Sequence, residues 1–86
     1  MRVEWTVIRD AWEPHMGPEI ASERARNAAQ AIRLHGKEPH RDRVVDTLTR
    51  CFVSAQFSIY GGLTVSGSTI IDAVNDVMDL IWKETE

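Results

Sequence analysis

The stretch CFVSAQFSIYGGLTVSGSTII, residues 51–71, runs for twenty-one residues without one charged side chain, in a chain whose charged fraction is 27%. Three folds can accommodate such a run: a membrane span, a β-hairpin, or a helix that ends in a loop and passes into a second helix. The membrane reading fails on chemistry. A span needs about 20 predominantly apolar residues, and this run contains Ser54, Gln56, Ser58, Thr64, Ser66, Ser68, Thr69 and three glycines. The hairpin has better support, because Val53, Ala55, Phe57 and Ile59 alternate with Ser54, Gln56 and Ser58, and Gly61-Gly62 is a turn dipeptide. Its register is the difficulty. A two-residue loop pairs Ser58 with Val65 and mixes polar and apolar residues on one face. A three-residue loop repairs this but leaves Gly67 in the second strand.

The helical reading accounts for more of the chain on the N-terminal side. Val44, Val45, Leu48, Cys51, Phe52, Ala55 and Ile59 recur at helical spacing and run straight into the uncharged segment. The expectation is a helix over about 39–60, opened near Pro39 and stopped at Gly61-Gly62. The last helix follows over about 68–84, with Ile70, Ile71, Val74, Val77, Met78, Ile81 and Trp82 as its apolar stripe and Ser66 or Ser68 as its cap. On the other side, Pro18 suits a first helical position. Ile20, Ala21, Ala25, Ala28, Ala29 and Ile32 define a helix over about 18–35 that closes at Gly36. So many alanines on one side imply that another helix approaches closely. Residues 1–17 read as an arm or short strand, from the alternation of Val3, Trp5 and Val7 and the break at EPHMGP. The expected fold is one mainly α domain of three helices with an N-terminal extended arm, the alternative being α+β with a hairpin at about 52–67.

Composition narrows the function. Eighty-six residues with 43% hydrophobic side chains form one small globular domain, short enough that a second copy or a partner is a realistic source of stability. The single cysteine, Cys51, and the charges at Arg2, Glu4, Arg9 and Asp10 fit a reducing, cytoplasmic setting with no secretory signal. Residues 22–50 carry seven Arg or Lys against four acids, whereas the remainder carries three against nine. The net charge of −3 and a pI near 5.5 argue against general nucleic-acid binding.

No catalytic set, cofactor motif or strong metal pattern is present. His35 and His40 flank HGKEPH without zinc-ligand spacing, and with His15 they read as solvent histidines. Cys51 lies on an apolar stripe with no base placed to activate it. Ser66, Gly67 and Ser68 at a helix start, with Arg24 and Arg50, form a possible anion-binding group, against which stand ordinary capping and a snorkelling Arg24. Asp72, Asp76 and Asp79 face away from the last stripe. They offer negative charge to a partner with a basic surface, or are simply solvated. Val53, Phe57 and Tyr60, at i, i+4 and i+7, project to one side of the main stripe. With Trp12 and Trp82 they are the candidate partner or oligomer interface, because aromatic residues are enriched there.

The expected function is therefore a small, non-enzymatic protein-interaction module, forming a homodimer and modulating another protein as an inhibitor or adaptor, a type found among phage and mobile-element proteins. A small-molecule or phosphate binder using the SGST helix start is the alternative. Nucleic-acid binding through residues 22–50 is the third reading.

Overall fold

The computed structural model describes residues 3–35, 40–63 and 65–81. Within them are four α-helices and no strand: α1 (Trp5–Met16), α2 (Pro18–Arg33), α3 (Arg41–Tyr60) and α4 (Gly67–Ile81). The hairpin alternative is thus replaced by helix through Tyr60. The expected helix starts and ends at Gly36, Pro39 and Trp82–Glu84 lie outside the described residues.

The N-terminal segment departs most from expectation. Residues 5–16 are a full helix, not an arm or strand, so the domain has four helices where three were expected. The alternation of Val3, Trp5 and Val7 covers one turn only. The longer pattern is Ile8, Trp12 and Met16 at i, i+4 and i+8, and all three are buried. Pro14 sits inside this helix rather than ending it. It falls in the last turns, where the lost N–H bond to residue 10 is one of few and the carbonyl of exposed Asp10 can turn to water. The break comes at Gly17, whose φ of 81° is open to glycine at no steric cost. Its N–H still donates to the Glu13 carbonyl at 2.9 Å, while its own carbonyl accepts from Ala21 at 3.0 Å, so one residue joins two helices.

In the packing, α1 and α3 each lie against all three other helices, whereas the backbones of α2 and α4 do not come close to each other. Ala21, Ala25, Ala28 and Ala29 are all buried, which lets α2 pack closely. Across the α1–α3 diagonal the side chains are large instead. Trp12 meets Phe52 edge-to-face, with ring centroids 5.6 Å apart and planes at 80°. Both rings are 0% exposed. His15 adds a second edge contact to Phe52 at 5.5 Å. The radius of gyration, 12.1 Å, equals the roughly 12 Å expected of a compact chain of this length.

Two further contacts fasten α1 to α2. Trp5 lies between the guanidinium groups of Arg26, 4.4 Å from the ring centroid, and Arg9, at 5.2 Å. Arg33 Nη2 donates to the Val3 carbonyl at 3.0 Å. On α4, Ala73 joins Ile70, Val74, Val77, Met78 and Ile81 in the core. Ile71, expected on that stripe, is instead exposed, because its direction is not the one α1 and α3 approach.

Candidate functional site

The helix ends on either side of the α3–α4 connection are built differently. At the C-terminus of α3, Gly61 takes a left-handed conformation (φ 72°, ψ 9°) and donates its N–H to the Phe57 carbonyl at 2.9 Å. At the start of α4, Ser66 Oγ accepts the Thr69 N–H at 3.3 Å and lies 2.9 Å from Ser68 Oγ and 3.1 Å from Thr69 Oγ1. Ser66 is the cap, and its hydroxyl neighbours are turned on one another.

Before its glycine stop α3 has two apolar sides. Leu48, Phe52 and Ala55 are fully buried, with Gln56 beside them. On the other side Val53 is half-buried at the core margin, while Phe57 is 54% and Tyr60 52% exposed. Leu63, one turn's length beyond, is 51% exposed and extends the strip into the loop. Leu63 was not singled out from the sequence, where it reads as a loop residue after two glycines.

The other sequence-derived candidates separate. Trp12 is a core residue, fully buried against Phe52 of α3, and is not available to a partner. Its size and amphipathic ring suit an interface, but they equally suit the centre of a small domain with few large side chains. Its indole N–H is buried without a hydrogen-bond acceptor. Trp82 lies outside the described residues. Asp72, Asp76 and Asp79 are exposed, as expected of a polar helix face.

The anion-binding group is not assembled. Arg24 reaches across to α3, where its Nη1 donates to Ser54 Oγ at 3.0 Å and its Nη2 to Ser58 Oγ at 2.8 Å. Arg50 pairs with Asp46 one turn away, at 3.0 Å. Among the described residues no hydrogen bond or ion pair links either arginine to Ser66, Gly67 or Ser68. Arg24 therefore bolts α2 to α3 beside the exposed strip. His35 lies with its Nε2 3.5 Å from Thr47 Oγ1.

Cys51 is half-buried on the same helix, and burial pushes its thiol pKa up, while the nearby Arg24 charge opposes this in part. A thiol so placed stays protonated at neutral pH and is a weak nucleophile. Among the described residues no cluster of three His, Cys, Asp or Glu side chains could hold a metal ion, and no helix is long and apolar enough to cross a membrane.

One feature was missed at the sequence level: an open groove of about 400 Å³ on the α1–α4 seam, lined by Val7, Asp10, Ala11, Asp76 and Leu80. Leu80 is 55% exposed on the outer side of α4, which also carries Asp72, Asp76 and Asp79. The i, i+4 relation of Asp76 and Leu80 is readable in sequence, but not that α1 would lie beside them. Comparison of the chain with protein-family models, curated proteins and solved structures found no significant match.

Proposed function

We propose that this chain is a small, non-enzymatic protein-interaction module of the inhibitor or adaptor type, self-associating through the C-terminal half of α3 and acting by binding another protein. The observation that carries the reading is the exposed strip of Phe57, Tyr60 and Leu63 with Val53 at its edge. Three large apolar side chains about half exposed, two on the last turns of α3 and one in the loop that follows, present roughly 300 Å² of apolar surface, in the range of patches that mark interaction sites. A two-fold pairing of such strips brings aromatic anchors to the centre of an interface, where they contribute most. It also removes from water a surface that a domain of this size is poorly able to leave exposed. Ser54 and Ser58, held by Arg24, supply a polar rim beside it.

Analytical ultracentrifugation of the wild type and of Phe57→Asp tests this. The expected outcome is a wild-type dimer and a monomeric variant with the same circular dichroism spectrum. A wild type that stays monomeric at every concentration, or a variant that remains dimeric, sinks the self-association. Affinity capture with and without nuclease then addresses the partner. Recovery of one protein under both conditions supports the reading, whereas recovery that vanishes with nuclease points to nucleic acid.

A further inference from the structure

The α1–α4 groove has a definite chemistry. Its floor is apolar, made by half-buried Val7 and Ala11 one turn apart on α1, with Leu80 rising from α4. A carboxylate stands on each wall, Asp10 on α1 and Asp76 on α4. Asp72, one turn before Asp76, continues that edge, and Asp10 also borders a second open depression with Glu13, Pro14 and Pro18. The base beside this rim, Arg9, is already engaged, with Nη2 at 2.9 Å from Asp10 and its guanidinium against Trp5. Asp76 has no ion-pair partner among the described residues. The rim thus keeps a net negative charge around an apolar slot.

We propose that this groove is the docking site for a basic amphipathic helix of a partner protein. The proposal rests on the reading of the chain as an interaction module but uses a different face from the α3 strip. Two neighbouring helices present parallel rows of side chains at i, i+4 spacing, and a third helix laid between them inserts its own row into the seam. An apolar row on that helix fills the space over Ala11 between Val7 and Leu80. Lys or Arg flanking the row meets Asp10 on one side and Asp76 on the other. Charge decides orientation and partner choice, and the apolar contact holds the complex.

The test is an NMR titration of the isotopically labelled full chain with a synthetic helical peptide carrying Leu at i, i+3, i+4 and i+7 and Lys elsewhere, alongside the same peptide with Glu for Lys. The Lys peptide is expected to shift the amides of Val7, Ala11, Asp76 and Leu80, and the Glu peptide to leave them in place. Asp76→Lys and Leu80→Lys should each weaken binding about tenfold or more. Asp46→Lys makes the same charge change on α3 and should alter it less than about twofold. Both groove positions are exposed, so the variants should keep the wild-type spectrum, and either one alone suffices for the comparison. Shifts spread over the acidic surface, an Asp46→Lys effect equal to that of Asp76→Lys, or binding by the Glu peptide would overturn the proposal. Groove shifts that follow protein concentration without peptide would assign the slot to a second copy and overturn it as well. Titration in the Phe57→Asp background separates the two faces. Groove binding should persist there whether or not the α3 strip self-associates, and its loss would refute a separate site.

Discussion

At the level of single residues, Cys51 shows how placement governs chemistry. Its raised pKa follows from burial, with Arg24 pulling the other way. Because the fold holds the thiol protonated, its contribution to stability is complete below the ordinary thiol pKa of about 8.5 and is lost as pH rises through the higher folded value. Iodoacetamide labelling at mildly alkaline pH should therefore be slow in the native protein and fast in urea. Equal rates in the two states would mean that the thiol is open to solvent. The sequence reading of Cys51 as a stripe residue anticipated this environment, since neighbours at helical spacing are apolar. Trp12 shows the opposite case. The spacing of Ile8, Trp12 and Met16 puts it on an apolar side of α1, but whether that side meets a partner or the core is decided by α3, which brings Phe52 to its edge.

Among the elements, helix ends and interruptions carry separable energies. Ser66 caps α4 through the Thr69 N–H. Ser66→Ala should cost about 1 kcal/mol, seen as a fall in Tm of about 4–8 °C for a domain of this size. An unchanged Tm would show that Ser68 or water takes over the cap. Pro14 within α1 is the reverse case, a residue that breaks a local rule. A helix-interior proline costs about 3 kcal/mol, offset by the unfolded-state entropy that proline removes, roughly 0.4–1 kcal/mol. Pro14→Ala should then stabilise the domain by about 2 kcal/mol in urea unfolding. A loss of stability would mean that Pro14 is needed to seat Trp12 and Met16. This helix was hidden in the sequence by that proline and by a three-residue alternation at its start. Three of the four helices were legible, because α2, α3 and α4 each repeat an apolar stripe over several turns with no such interruption.

Taken as a whole, the molecule depends on α1. This helix contributes Ile8, Trp12 and Met16 to the core and touches every other helix. A chain beginning at Pro18 should lose near-UV circular dichroism and bind a hydrophobic dye, because α2 and α4, whose backbones do not come close to each other, would each lose a buried face. If that truncated chain instead unfolds cooperatively with a wild-type near-UV spectrum, α1 is the peripheral arm its first residues suggest. The charge distribution belongs to the same scale. Basic residues of the middle segment are partly consumed by the fold, with Arg24 bonded to Ser54 and Ser58, Arg26 on Trp5, Arg33 on the Val3 carbonyl and Arg50 on Asp46. Among the described residues the exposed carboxylates of α4 have no such partner, and Asp76 reaches a groove that exists only because α1 lies beside α4.

The sequence by itself determined the helical class, three of the four helices, the glycine stop after Tyr60 and the strip of Val53, Phe57 and Tyr60 beside the buried stripe. All of these follow from periodicity and local backbone preference, which depend on residues a few positions apart. Tertiary structure alone decided that Trp12 is core, that Arg24 bridges to α3 rather than to an anion, and that an apolar slot opens between α1 and α4. Each of these depends on which helix lies next to which, and that is set by the mutual fit of whole faces, small alanines on one side and large rings on the other.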